Sequence, residues 1–274
     1  MEILKNLYNL LNTQMIEPTT FGAYHIACIV AAAIITFITC KLFKDCSDRT
    51  VRRISGVVWV IILLFEIYKQ LIHGIELNNG RFAWDYAWYI FPFQFCSSPL
   101  YVLPIMAFAR NEKLRDCCVA YMMTFSLFAG LAVFCYPNDV FVETMGVNIQ
   151  TMVHHGSQIL MGVFFAVRYR DRYSKGFFLG GSLVFVVMTA IALALNVAVY
   201  NALIYFGINE TFNMFFISPY FDCTLPVLSL FWNKIPYIGF LCLYFFGFIF
   251  CAVLVYGIFH ALVKNMRGRA LGVR

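Results

Sequence analysis

The sequence predicts an all-α membrane protein: a polytopic bundle of seven transmembrane helices that forms one domain over residues 1–274. Three observations favour this fold. Hydrophobic residues make up 62% of the chain and charged residues only 12%, with a mean hydropathy of +0.77, unlike a soluble domain. Seven stretches are apolar over about 20 residues, the length that spans a bilayer. Basic residues cluster in alternate loops, which indicates a defined orientation.

The seven predicted helices are joined by loops too short to hold a core of their own. They cover residues 21–43, 54–75, 90–109, 117–136, 151–168, 177–203 and 237–263. No internal repeat or flexible linker divides them, so a single membrane domain is the simplest interpretation. Residues 204–236 mix polar residues, prolines and aromatics, and we expect an outer loop that dips back over the helices.

Sixteen of the twenty Lys and Arg residues lie in the loops after the first, third and fifth helices and in the C-terminal tail. Because such residues are enriched in cytoplasmic loops, we expect the N-terminus outside and the tail in the cytoplasm of a cell-membrane protein. The net charge of +6 then reflects orientation and not a nucleic-acid partner. The sixteen residues are Lys41, Lys44, Arg49, Arg52, Arg53, Arg110, Lys113, Arg115, Arg168, Arg170, Arg172, Lys175, Lys264, Arg267, Arg269 and Arg274.

The ten cysteines contain no C-x-x-C pair and no His/Cys spacing typical of zinc sites. The sequence therefore predicts neither a metal site nor a disulfide framework, and it indicates no cofactor. The oligomeric state cannot be inferred from such a pattern.

The third helix contains the first candidate site residue, Cys96, between Pro92 and Pro99. Each proline removes a backbone donor, so nearby carbonyls need other partners, which in a bilayer only protein or a wet cavity can supply. We therefore hypothesise that Cys96 faces such a cavity. The alternative is a buried thiol that packs as a small hydrophobe, as free cysteines usually do.

The second helix carries Glu66, Lys69, Gln70 and His73 at offsets that place them on one stripe. Charged groups at this depth are costly and usually face the bundle interior. One interpretation is a polar wall of a substrate cavity, lined by Glu66, Lys69 and His73. The other is a Glu66/Lys69 ion pair that only holds helices together.

The fifth helix contributes His154, His155 and Gln158, and the sixth contributes Asn196. Adjacent helical residues are about 100° apart, so at most one of the two histidines points squarely into a cavity. A hydrogen-bonded core histidine and, for Asn196, an interhelical hydrogen bond are the alternatives. With the expected orientation, all these groups reach a similar depth in the outer half of the bilayer, which favours a shared cavity.

A cysteine next to a histidine can act as a thiolate nucleophile. If Cys96 meets His155, an acyl group from a lipid could pass to sulfur as a thioester and then to a second acceptor, with the histidine as base and then acid. Gln94, Ser97, Asn196 or backbone amides near Pro99 are candidates to stabilise the oxyanion.

Several short motifs resemble the YwaF-type integral membrane family over roughly residues 20–263. They are Glu66, the Pro-Phe-Gln-Phe-Cys run at 92–96, the Tyr-Pro-Asn-Asp run at 136–139, His155-Gly156 and residues 209–219, which include Asn213. That family is related to a eukaryotic transmembrane acyltransferase that places polyunsaturated chains on ether phospholipids. The resemblance implies seven helices, Cys96 as nucleophile and His155 as its partner. Gln94 departs from the pattern, which often has histidine there. A more distant likeness, to the androgen-induced-protein family of lipid hydrolases, implies hydrolysis.

The leading prediction is therefore a membrane acyltransferase or hydrolase that acts on membrane lipids through Cys96 and His155. The remaining candidates, Glu66, Lys69, His73, Gln94, His154, Gln158, Asn196 and Asn213, are expected to bind substrate. The competing hypothesis is a non-enzymatic carrier or lipid-binding protein in which the same cavity binds a ligand and Cys96 only packs.

Overall fold

The chain folds into a bundle of α-helices with a small β-hairpin at one end, in a computed structural model that describes residues 2–78, 81–137 and 139–270. The strands β1 (Ile75–Asn78) and β2 (Arg81–Trp84) pair antiparallel. Of the residues used above, Asn138, Arg274 and the side chains of Lys264, Arg267 and Arg269 lie outside the described part. The helices are α1 (Glu2–Leu11), α2 (Ala23–Phe43), α3 (Asp48–Gly74), α4 (Pro99–Phe108), α5 (Glu112–Tyr121), α6 (Leu127–Cys135), α7 (Met145–Arg168), α8 (Lys175–Tyr205) and α9 (Tyr237–Ala270).

Among the described residues, five helical segments are long and apolar enough to cross a membrane, which confirms an all-α membrane bundle. A π-helical stretch, Met122–Ser126, joins α5 and α6 into one of these segments. The five are Ala23–Phe43, Asp48–Gly74, Glu112–Cys135, Lys175–Tyr205 and Tyr237–Leu262.

Helices α4 and α7 occupy the two other predicted spans but differ from the five in length or polarity. Helix α4 has only 10 residues. Helix α7 has 24, and its buried residues include Asn148, Gln150, His154, His155 and Gln158. Because these polar groups face protein, the low hydropathy of α7 reflects a central position in the bundle.

The predicted third helix, residues 90–109, is α-helical only in its second half. Pro92 and the residue before it disfavour helix, and the chain instead forms a short 3₁₀ turn before α4 begins at Pro99. Proline is well suited to the first turn of a helix, where its missing N–H would have no partner anyway. The expected break in this helix is thus larger than the sequence predicted.

Several helices begin before the apolar stretch that predicted them, because polar caps lie outside that stretch. Helix α3 begins at Asp48, where Ser47 Oγ accepts a hydrogen bond from the Thr50 amide at 3.3 Å. Helix α5 begins at Glu112, where Asn111 Oδ1 accepts from the Leu114 amide at 3.1 Å. The amphipathic helix α1 and the β-hairpin were not predicted, since neither is long enough to span a membrane.

Three loops meet at one end of the bundle: α2–α3, α4–α5 and α7–α8. Ion pairs join them. The Arg170 guanidinium, hydrogen bonded to Asp45, holds the pKa of that exposed carboxyl below its usual value. The pairs are Arg168 with Asp48 at 3.4 Å, Arg170 with Asp45 at 2.6 Å, and Arg172 with Asp116.

The opposite end joins the N-terminal segment to the hairpin and to the α6–α7 loop. Tyr8 of α1 donates to the Ile75 carbonyl at 3.0 Å, and the Met15 amide donates to the Glu143 carbonyl at 2.7 Å. Consecutive loops of this chain therefore lie at alternate ends of the bundle.

The core is built around the π-helical stretch, whose five residues are all buried. Phe125 of this stretch stacks on Phe185 of α8, with ring centroids 4.6 Å apart. On its other side α7 approaches closely at Gly162, where a Cβ atom would lie 2.7 Å from Leu127 Cβ and 2.8 Å from the Met122 carbonyl oxygen. A glycine is required there because backbone lies against the neighbouring helix.

We expect Gly162→Ala to destabilise the bundle by about 1–3 kcal/mol, because the added methyl group overpacks the α6–α7 contact. Gly247→Ala in α9 is the matched control, since a Cβ there meets nothing within 4 Å. Thermal unfolding in detergent checks both. An unchanged midpoint for Gly162→Ala would contradict the close approach.

Candidate functional site

Cys96 lies in the short turn between Pro92 and α4, and its side chain is half-buried. The turn is held by hydrogen bonds from the Ser97 amide to the Gln94 carbonyl (2.8 Å) and from the Ser98 amide to the Phe95 carbonyl (3.3 Å). The break in the helix thus presents the thiol on a locally ordered backbone.

Two side chains of α7 donate to the backbone carbonyl of Cys96. The Nε2 atom of His154 lies 3.1 Å from this oxygen, and the Nε2 atom of Gln158 donates to it at 2.9 Å. His154 and Gln158 are four residues apart and so share one face of the helix. These bonds hold the Cys96 turn against α7 and supply the partner that the proline-interrupted backbone needs.

His155 points away from this carbonyl, as expected for a neighbour about 100° around the helix. Its Nδ1 atom lies 2.7 Å from the Thr151 carbonyl oxygen of the preceding turn. Among the described hydrogen bonds, those that reach Cys96 from α7 come from His154 and Gln158. The two imidazole centroids are 6.0 Å apart, so both rings belong to one cluster.

The hydrogen bonds of the two histidines select their tautomers. A carbonyl oxygen only accepts, so the proton of each neutral ring lies on His154 Nε2 and on His155 Nδ1. The other nitrogens, His154 Nδ1 and His155 Nε2, then carry free lone pairs. Both are buried without a hydrogen-bond partner in the described part of the chain. Each can therefore act as a proton acceptor inside the protein.

Glu66 is buried and well supplied with donors. Its Oε1 atom lies 2.8 Å from Lys69 Nζ and accepts from Gln70 at 2.7 Å. Its Oε2 atom accepts from Gln150 of α7 at 3.4 Å. The ion pair predicted for Glu66 and Lys69 is confirmed, and Gln150, which the sequence analysis missed, connects it to α7 one helical turn before His154.

Lys69 connects the Glu66 cluster to the Cys96 thiol through an electrostatic interaction. It interacts electrostatically with Cys96, with His154 and with His155. His73, one turn further along α3, is half-buried and interacts with both Lys69 and Glu66. The site therefore contains a positive charge near a potential thiolate, held by a carboxylate of its own.

Gln70 connects this cluster to the segment before Cys96. It donates to the Ile90 carbonyl at 3.0 Å and accepts from Tyr86 at 2.6 Å. Burial, followed by the negative charge of Glu66, raises the pKa of Tyr86 to about 12. Tyr86 consequently stays protonated at neutral pH and remains a donor to Gln70.

Gln94 and Asn196 both bind the backbone of the long loop between α8 and α9. Gln94 donates to the Asn213 carbonyl at 3.2 Å and accepts from the Phe215 amide at 3.1 Å. Asn196 donates to the Met214 carbonyl at 2.9 Å and accepts from the Met214 amide at 2.7 Å. Their side-chain amides are thus occupied by the backbone of this loop.

Asn213 stabilises the same loop from within. Its side chain donates to the Asp222 carbonyl at 3.0 Å and accepts from the Ser218 amide at 2.9 Å. The loop enters the bundle, where Phe212, Met214, Phe215 and Ile217 are buried. The sequence prediction that this outer segment dips back over the helices agrees with this arrangement.

Four buried hydroxyl groups near the core were missed by the sequence analysis: Ser98, Tyr121, Ser126 and Tyr244. None has a hydrogen-bond partner in the part of the chain that the structure describes. A tyrosine in the middle of an apolar span was the available signal, because its hydroxyl must find a partner in a membrane interior.

We expect Asn196→Ala to destabilise the protein by about 2–3 kcal/mol, because it leaves a buried amide and a buried carbonyl of Met214 unpaired. Amide hydrogen exchange in residues 209–222 should accelerate. Asn201→Ala is the control: Asn201 is exposed on the same helix and bonds only to Val197 of that helix. Equal effects of the two variants would contradict the assigned role.

Comparison with known proteins places the chain in a family. No curated protein and no solved structure matches the chain. The sequence model of the TMEM164 family matches residues 19–260. This range contains the α8–α9 loop, the helices from α2 into α9, and the side chains around Cys96 described above, which we call the Cys96 cluster: Cys96, Glu66, Lys69, His154 and His155. The chain belongs to the TMEM164 family of membrane proteins.

Proposed function

We propose that this protein is a membrane-embedded lipid acyltransferase or hydrolase with Cys96 as nucleophile and His155 as general base. The observation that carries the proposal is the pair of hydrogen bonds from His154 and Gln158 to the Cys96 carbonyl. They keep a half-buried thiol beside a helix that carries two histidines with free lone pairs. A thiol and a base in one protected cluster are the minimum that thioester chemistry needs.

The first step moves an acyl group from lipid to sulfur. The base takes the thiol proton, and the thiolate attacks the ester carbonyl carbon of the lipid. A C–S bond forms and the C–O bond of the ester breaks. The lipid alkoxide leaves with the proton that the base holds, so the products are a thioester at Cys96 and a lysolipid. A hydroxyl compound then reverses the sequence to release the acyl chain.

His155 and His154 are both candidates for the base, because each ring keeps one free nitrogen among the described residues. His154 holds the Cys96 backbone through Nε2, so its ring is fixed as a positioning group. His155 is hydrogen bonded within its own helix, and we assign the proton transfer to its Nε2 atom. Lys69 favours the thiolate electrostatically. Glu66 holds Lys69 in place and is itself held by Gln70 and Gln150.

Substrate binding is assigned to the groups that remain around this cluster. His73 lies beyond Lys69 toward the hairpin end and can contact a lipid headgroup, while Gln158 and His154 position the reacting segment. Gln94, Asn196 and Asn213 act indirectly, because they fasten the α8–α9 loop over the site.

We further infer seven membrane crossings, with the N-terminus outside and the C-terminus in the cytoplasm of a cell membrane. Two facts support this topology. Consecutive loops lie at alternate ends of the bundle, and the end with the Arg–Asp ion pairs carries most of the basic residues. The turn and α4 together, Phe95–Phe108, account for the short crossing.

The topology can be tested with two exposed lysines. We expect a membrane-impermeant maleimide to label Lys234→Cys in intact cells, and Lys175→Cys only after lysis, each compared with labelling of the parent chain. The first residue lies in the α8–α9 loop and the second at the start of α8. The reverse pattern would overturn the orientation.

The chemistry can be tested by mass spectrometry of the purified protein after incubation with phospholipid. We expect an acyl adduct at Cys96 that hydroxylamine removes and that Cys96→Ala lacks. It should form more slowly in His155→Ala, by about 10²-fold or more, because a general base typically contributes 10²–10⁴-fold. Cys251→Ala, a half-buried thiol of α9, is the control and should keep the adduct.

Absence of both the adduct and released fatty acid, in protein that demonstrably binds lipid, would contradict the enzyme and favour a carrier. Normal adduct formation in His155→Ala together with loss in His154→Ala would transfer the role of base to His154.

A further inference from the structure

We propose that Ser98, Tyr121 and Tyr244 form a binding site for the hydroxyl group that receives the acyl chain from Cys96. The acceptor is water or the alcohol of a lysolipid, which present the same chemistry to the protein. This inference rests on the proposed function, because it concerns the second half of the same reaction.

The three hydroxyl groups are completely enclosed. Each of the three residues has 0% exposure, and none of the hydroxyls has a hydrogen-bond partner among the described residues. Burying a hydroxyl group without a partner destabilises the fold. Groups of this kind are normally satisfied by a bound polar molecule.

These hydroxyls come from three separate elements that pack around the Cys96 turn. The ring centroid of Tyr244 lies 4.5 Å from that of Phe248, which in turn lies 4.8 Å from that of Phe95, the residue before Cys96. Ser98 follows Cys96 by two residues. Tyr121 ends α5 immediately before the π-helical stretch, lies close to Ser98 Oγ and interacts electrostatically with Cys96. Tyr244 of α9 interacts in turn with Tyr121. Local changes in helix pitch of this type are frequent at functional sites.

The lining of this site selects a neutral ligand with donor and acceptor capacity. Serine and tyrosine hydroxyls can both donate and accept, and the neighbouring side chains include Phe125, Phe185 and Phe248, which pack with Tyr121 or Tyr244. A phosphate would need a cation for its charge. A water molecule or an alcohol can satisfy up to three such partners without one.

The step assigned to this site is deacylation of the thioester. The acceptor hydroxyl loses its proton to the histidine base and its oxygen attacks the thioester carbonyl carbon. A C–O bond forms, the C–S bond breaks, and the thiolate takes the proton back from the histidine. The products are a free thiol and either a fatty acid, from water, or a new ester, from an alcohol.

The experiment separates formation of the acyl-enzyme from its decay. The protein is incubated with phospholipid in detergent, the lipid is removed, and the thioester at Cys96 is followed by mass spectrometry in water alone and with added lysophospholipid. For Tyr121→Phe we expect thioester formation within about 3-fold of the parent and decay at least 10-fold slower, because one hydrogen bond to the acceptor is lost. The thioester should accumulate.

Tyr24→Phe is the matched control. Tyr24 Oη is also buried without a partner among the described residues, but it lies on α2 against Phe141, outside the Cys96 cluster. Both variants remove an unpaired hydroxyl, so both should melt at or above the temperature of the parent. Tyr244→Phe and Ser98→Ala test the site independently if Tyr121→Phe does not fold.

If the thioester decays at the parent rate in every one of the site variants that folds, the proposed acceptor site is wrong, while the thioester mechanism remains intact. Absence of a thioester, and of its products, in the parent protein would overturn the proposed function and this inference with it. Release of fatty acid identifies water as the acceptor, and appearance of a new phospholipid identifies the alcohol. Either product supports the proposed site if Tyr121→Phe slows its formation.

Discussion

The carbonyl oxygen of Cys96 has to be hydrogen bonded inside the protein, and the arrangement of the site depends on how this is done. Two prolines interrupt the helix around it, and a membrane interior offers no water to replace the missing helical bonds. His154 and Gln158 supply the donors. A requirement of the backbone therefore places polar side chains of α7 next to a thiol, and the polar character of α7 follows from its central place in the bundle.

The same constraint explains the loop between α8 and α9. This segment enters the bundle with left-handed backbone at Phe215 (φ 59°) and Phe216 (φ 56°), conformations that side chains rarely adopt. Its buried backbone amides and carbonyls need hydrogen-bond partners. Gln94 and Asn196 supply them through four hydrogen bonds, two from each side chain. The loop segment thereby packs into one end of the helix bundle, and side-chain hydrogen bonds from Gln94 and Asn196 offset its backbone strain.

The Cys96 carbonyl and the loop backbone have hydrogen-bond partners, whereas several buried side-chain atoms nearby have none. The free nitrogens of His154 and His155 and the hydroxyls of Ser98, Tyr121 and Tyr244 are buried in the same region as Cys96, yet no hydrogen bond satisfies them within the described chain. A bundle that provides a partner for the Cys96 carbonyl and for the loop backbone would gain stability by pairing these groups too. Their presence near Cys96 is the basis of the binding and reaction that we propose for this region.

The sequence by itself determined the membrane character and the position of most helices, because these follow from hydropathy along the chain. It also identified Cys96, Glu66, Lys69 and His154 as members of one cluster. Only the tertiary structure decided which histidine contacts the Cys96 backbone and that Gln94 and Asn196 bind the backbone of the α8–α9 loop. Those facts depend on helix rotation and on contacts between residues far apart in the chain, and neither hydropathy nor spacing along one helix encodes them.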